Sequence, residues 1–286
     1  QRKDLHRATH QSTPSTEIMA PITQYSAEIQ DPNNISEIMA NAFEASQDAR
    51  KGAAFVSLPQ DVDDAEVTEK PLPIYETPKM GPADPNDLQK LVELIKNSKM
   101  PVILVGQRGA DEEITTALRK LLSDYSLPVV ETYQAAGVVS RDLEQQSYFG
   151  RIGLFRNQVG DQLLQQSDLV IAVGYDPIEY EPRNWNKEGN LRIVNLDTLP
   201  AQIDNHYTPI MQLVGNITTS LTELDKLLKG YEYPVAATEQ LAKYKQELDQ
   251  DKKIQVPASN DASHPLAVVH AIQENVTDDM HVALDV

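Results

Sequence analysis

Asp176, Glu179 and Glu181 lie close together after the apolar run 169–173, where an open α/β sheet presents groups to a ligand. Neighbouring carboxylates can divide acid and base work or bind a hard cation. No nucleophile, further base or additional ligand stands at a spacing that would complete either site, so a solvated loop is the expected setting. Gly106-Gln-Arg-Gly-Ala110 follows another apolar run and precedes a helical pattern. Its two glycines can bring backbone amides close to a phosphate, with Arg108 adding charge. The full G-x-G-x-x-G pattern is missing, and glycines at such a turn commonly serve chain geometry, so a structural turn is expected. Asp197 follows a third run, at the place where dinucleotide folds put an acidic ribose ligand, but the glycine motif ahead of it is too weak to support that role. Thr132-Tyr-Gln-Ala-Ala-Gly137 offers small residues and two polar side chains, suited to packing, a ligand or another subunit.

Other chemistries find less support. The six histidines (His6, His10, His206, His264, His270 and His281) form no H-E-x-x-H pattern, and His264 and His270 do not share a helical face, so no metal site is expected. No G-x-S-x-G elbow is present. The absence of cysteine removes thiolate nucleophiles, disulfides and cysteine-ligated metals. On its residues alone, the middle of the chain is a binding or scaffold module more than a catalytic one.

The elements that would hold these loops alternate. Residues 87–96 carry Leu88, Leu91, Val92 and Ile95 on one helical face, with Asp84 or Asn86 as cap. Residues 101–105 are apolar on both faces, as parallel strands buried under helices are. The alternation continues through helix 111–124, strand 127–131, helix 157–166, strands 169–173, 192–196 and 212–214, and helix 216–229. This predicts a doubly wound parallel sheet with right-handed crossovers, a Rossmann-like central domain over residues 86–230. Upstream, residues 35–46 form an amphipathic helix and 53–58 a strand, within a strand–helix–strand piece of another α/β domain at 1–62. Prolines 71, 73, 78, 82 and 85 mark 63–85 as a linker. A polar stretch, 231–262, with a surface helix at 236–250, leads to a third α/β piece at 263–286, which opens with a helix carrying Pro265 in its first turn and ends in a strand at 281–286. The chain does not begin with Met, and its last residues alternate like a strand cut short, so it is expected to be an internal piece of a longer protein.

At 286 residues, 40% of them hydrophobic, there is enough apolar material for sizeable cores. With 43 acidic against 25 basic residues, the net charge of −18 disfavours nucleic acid and anionic membrane surfaces. No apolar run reaches the roughly 18–20 residues a membrane span needs, and no signal-peptide pattern is present, so a cytoplasmic setting is expected.

Several separated segments also resemble one family. They are Tyr148-Phe-Gly-Arg-Ile-Gly-Leu-Phe-Arg-Asn-Gln-Val-Gly-Asp161, Asp168-Leu-Val-Ile-Ala-Val-Gly174 with Tyr175-Asp-Pro-Ile-Glu-Tyr-Glu-Pro182, Thr9-His-Gln-Ser12, and Pro21-Ile-Thr-Gln-Tyr-Ser-Ala-Glu28. To these are added Gly52-Ala-Ala-Phe-Val-Ser-Leu-Pro-Gln-Asp-Val62, Thr132-Tyr-Gln-Ala-Ala-Gly137, Tyr207-Thr-Pro209, Leu213-Val-Gly215 and His264-Pro-Leu266. In this order they resemble the catabolic, FAD-independent acetolactate synthases, which depend on thiamine diphosphate. The resemblance implies three α/β domains, with 1–62 ending a pyrimidine-binding domain, 86–230 central, and 263–286 starting a diphosphate-binding domain. It implies condensation of two pyruvates to 2-acetolactate and carbon dioxide, with thiamine diphosphate and Mg2+, in a homo-oligomer whose cofactor sites lie between subunits.

The family's activating glutamate would lie upstream of Gln1 and its metal motif downstream of Val286, so no catalytic residue is expected within this chain. Gln11 alone matches a family residue near cofactor and substrate. Gln107, Arg108 and residues 175–180 depart from FAD-using relatives, so FAD is not expected. Another thiamine diphosphate-dependent decarboxylase or oxidase, or a non-catalytic nucleotide-binding or oligomerisation module, are the alternatives.

Overall fold

The computed structural model describes residues 13–73, 78–153, 157–253, 264–277, 279–280 and 282–283. The chain divides into two compact units, one up to Gly81 and one from Pro82 onward. In the first, helix α1 (Ser15–Met19) leads to strand β1 (Tyr25–Glu28), helix α2 (Ile35–Gln47), strand β2 (Ala54–Ser57) and the short helix α3 (Gln60–Asp63). β1 and β2 pair in parallel with α2 as crossover. Asn33 Oδ1 accepts from the Thr68 and Glu69 amides, at 2.8 and 3.0 Å, tying the chain after α3 back to the turn before α2. On α2 only Ala42 is fully buried, and Phe43 is 59% exposed.

The second unit opens with α4 (Pro85–Lys96), capped by Asp84, and β3 (Pro101–Val105). α5 (Glu112–Tyr125), β4 (Val129–Glu131), α6 (Arg141–Ser147), β5 (Tyr148–Arg151), α7 (Val159–Gln166) and β6 (Leu169–Val173) follow. α8 (Pro182–Trp185), β7 (Ile193–Asp197), β8 (Met211–Val214), α9 (Ile217–Leu227), α10 (Val235–Asp251) and α11 (Pro265–Asn275) complete it. The sheet is wholly parallel, in the order β5-β4-β3-β6-β7-β8. Counted from its own first strand this is 3-2-1-4-5-6, the Rossmann order, and the expected fold class holds. β3, β4, β6 and β7 are buried at every residue; β3 and β6 are wholly apolar, as strands covered on both faces are, whereas β4 ends in the buried Glu131 and β7 carries the buried Asn195 and Asp197. One face packs on α4, α5 and α9 through Leu91, Leu121, Leu122, Ile171 and Leu224. The other buries Leu104, Val170, Leu163, Trp185 and Tyr207.

Between strand 127–131 and helix 157–166, where no element was expected, the chain forms the polar α6 and the edge strand β5. β5 is short, holds Gly150 at φ +90°, and pairs with β4 through a register shift, which blurs the period of a strand. The expected strand at 281–286 falls on residues that lie, apart from 282 and 283, outside the described ones.

Candidate functional site

The reversal of strand order between β3 and β6 opens a crevice beyond their carboxyl ends, the usual ligand position in this fold. Here the loops after both strands touch. A Cβ on Gly174 would sit 2.2 Å from the Gly109 amide nitrogen, and one on Gly106 would sit 2.5 Å from the Tyr175 Cα. Gly174 also adopts φ +59°, so only glycine fits there without strain. The glycines are thus structural, as the sequence predicted, but the loops they join hold a charged network.

Arg108 lies in the crevice on a 3-10 turn, Gln107–Gly109. Its Nη2 donates to Asp197 Oδ2 at 2.7 Å and to the Tyr175 carbonyl at 2.9 Å, and its Nε to both Asp197 oxygens at 3.1 Å. Its Nη1 donates to Asp176 Oδ2 at 2.5 Å. The Asp197 side chain is 1% exposed and that of Asp176 is 11%. Burial disfavours the Arg108 charge, but hydrogen bonds and opposite charge from Asp197 and Asp176 outweigh it and raise the pKa.

Beside Arg108, Glu179 Oε2 accepts from the Gln107 amide at 2.9 Å and Oε1 from the Thr132 hydroxyl at 2.7 Å. Burial raises the Glu179 pKa against the pull of these donors. The loop expected to be solvated is therefore corrected at two positions. Asp176 and Glu179 point inward because Arg108 and the β3 turn supply the charge and donors they need; Glu181 alone remains exposed, paired with Arg183. Nothing local in the sequence reveals this, since Arg108 is 68 residues from Asp176 and 89 from Asp197.

The amide of the turn after β3 is taken by Glu179, and Asp197, the acidic residue at the end of β7, is held by Arg108. In the loop after β4, Ala135 is buried, Thr132 holds Glu179, and the Tyr133 ring lies 5.9 Å from the Arg151 guanidinium carbon. Gln11, His6, His10 and His281 lie outside the described residues. His264 caps α11 by accepting from the Leu266 amide, His206 bonds the Asn186 carbonyl, and His270 faces Glu274. Among the described residues no three His, Cys, Asp or Glu side chains gather to hold a metal ion.

Residues 88–224 match the central domain of thiamine pyrophosphate enzymes. Over 285 residues, all of this chain and 50% of the relative, the sequence is 42% identical to an acetolactate synthase of Bacillus subtilis. It is 33% identical to a catabolic acetolactate synthase of Raoultella terrigena over 99% of this chain and 51% of that protein. A probable acetolactate synthase large subunit of Methanococcus aeolicus is 26% identical over 93% of this chain and 46% of its own length. The chain spans about half the length of the curated relatives it matches. The Rossmann-ordered sheet lies within the matched residues, so residues 88–224 resemble the central domain of thiamine pyrophosphate enzymes in both sequence and fold.

Proposed function

We propose that this chain is the middle part of an acetolactate synthase that condenses two pyruvates into 2-acetolactate and carbon dioxide. The observation that carries the reading is the 42% identity to such an enzyme along the whole chain. In this reading residues 1–62 close a pyrimidine-binding domain, 63–85 and 231–262 are linkers, and 263–286 begin a diphosphate-binding domain. The apolar residues that α11 exposes, Leu266, Val268, Val269 and Ile272, suit a helix with a further domain to cover it. Thiamine diphosphate and Mg2+ serve the intact enzyme, in a cytoplasmic homo-oligomer, with Gln11 near cofactor and substrate. In this reading the catalytic and cofactor-binding groups other than Gln11 lie outside the chain, so no step of the reaction is assigned to the described residues.

FAD is not used in this reading. The crevice that would take it is filled by Arg108, Asp176, Asp197 and Glu179, and displacing Arg108 would strand two buried carboxylates.

The test is acetolactate formation from pyruvate with thiamine diphosphate and Mg2+, with and without FAD, by the complete gene product and by this chain. Activity of the complete protein that is indifferent to FAD, with none from the chain, is expected. No activity in the complete protein contradicts the enzyme assignment, dependence on FAD contradicts the filled crevice, and activity of the chain contradicts the placement of catalytic groups outside it.

A further inference from the structure

The two edges of the six-stranded sheet are treated differently. β5, the outer strand on one side, lies under α10: Lys245 Nζ donates to the Tyr148 carbonyl at 2.5 Å, Lys252 Nζ sits 5.1 Å over the Tyr148 ring, and a Cβ on Gly150 would stand 3.1 Å from Leu248. β8, on the other side, pairs with β7 alone among the described residues. Its sequence with the preceding residue, Ile210-Met-Gln-Leu-Val214, carries no charge, no proline and no bulge, the devices that ordinarily keep an edge from pairing again. Ile210 is 52% exposed and Val214 41%. Ile210 and Met211 also form one wall of a cleft of about 560 Å3, whose other wall is α4 with Asp87, Lys90, Glu93 and Leu94.

This edge is complementary to itself. Side chains alternate along a strand, so Met211 and Leu213 face the layer of α4 and α9, where Leu213 is buried, and Gln212 faces away. A two-fold axis normal to the sheet sets an edge strand antiparallel to its own copy and keeps every side chain on its own face, as opposed residues in a ladder require. Centred on Gln212, the axis places Gln212 opposite itself, Met211 opposite Leu213 of the second copy, and Ile210 opposite its Val214. The exposed Ile210 and Val214 thereby cover each other. The rim of α4 beside the cleft carries both signs, with Lys90 between Asp87 and Glu93, so two such rims meeting across the axis bring unlike charges together.

We propose that β8 is a self-association edge, which pairs antiparallel with β8 of a second copy of this chain to make one continuous sheet. The contact is independent of the enzyme reading, since it uses backbone and apolar edge residues and no cofactor or catalytic group. A ribbon of this length with its flanks lies at or below the roughly 1,200 Å2 of the smallest stable interfaces, so a reversible dimer is expected.

The test is sedimentation velocity of the 286-residue chain over about 1 to 200 μM, the range in which a weak dimer dissociates. A concentration-dependent dimer is expected. Ile210→Lys with Val214→Lys sets like charges opposite each other and should weaken it by about tenfold or more, whereas Phe43→Glu, on the exposed side of α2 in the first unit, should leave it unchanged. Because the chain has no cysteine, Gln212→Cys reports the register: opposed at the two-fold axis, its two copies lie within disulfide reach and should cross-link on mild oxidation, and Thr222→Cys on α9 should not. A monomer at every concentration, a dimer that survives the two lysine substitutions or is lost in Phe43→Glu, or no cross-link at Gln212→Cys overturns the proposal. If the variant with both lysines does not fold, the cross-link decides: its formation supports the pairing and its absence refutes it.

Discussion

Arg108 is the residue on which most of the candidate site depends. Its fork geometry reaches Asp197, Asp176 and the Tyr175 carbonyl together, which a lysine's point charge would not reproduce. Arg108→Ala leaves two carboxylates without their buried cation and should cost about 3–5 kcal/mol in denaturant unfolding, with Arg108→Lys recovering only part. A loss below about 1 kcal/mol would mean that the network is solvated. Glu131 gives a second expectation, with the opposite sense to ordinary acid denaturation. Its carboxyl moves from the usual 4.5 to about 7 on folding. The native state therefore binds the extra proton, and its stability falls as pH rises from 4.5 to 7, by about 3 kcal/mol in total. Unfolding midpoints recorded across that window should show the decline, and Glu131→Gln should remove most of it. Neither residue declares its role in the sequence. Arg108 was legible as a charge on a glycine turn, but its partners come from loops far along the chain.

The glycine positions separate geometry from mere flexibility. At Gly174 a methyl group would meet the Gly109 backbone, and φ is +59°. Gly137 is at φ +92° with nothing within 4 Å of the same position. Gly137→Ala should therefore cost only the left-handed backbone penalty of about 1–2 kcal/mol. Gly174→Ala adds a backbone collision and should cost clearly more, or prevent folding; similar thermal stability of the two variants would contradict the close loop contact. The same contrast explains what the sequence disclosed. Strand 169–173 was readable to the residue because a strand buried on both faces must be continuously apolar, and the helix at Pro85–Lys96 was readable from its capping aspartate and one apolar face. The edge strand β5 and the polar α6 lacked those signals, since an edge needs no unbroken apolar run and a seven-residue surface helix shows little periodicity.

Over the second unit as a whole, the parallel sheet is buried between two apolar layers, and beyond the carboxyl ends of β3, β6 and β7 an Arg108-centred ion-pair network joins the loops. The layers should respond as a tightly packed core does: Leu122→Ala, at 0% exposure, is expected to lose about 2–5 kcal/mol in the same unfolding measurement. The fold was legible because alternating strands and helices admit few topologies, whereas the state of the crevice was not, because it is decided by ion pairs across the sheet. The most direct measurement is calorimetric titration of the chain with FAD and, separately, ADP. A crevice filled by Arg108, Asp176, Asp197 and Glu179 predicts no saturable binding of either nucleotide, and a saturable micromolar or tighter complex that is lost in Gly106→Ala would contradict it.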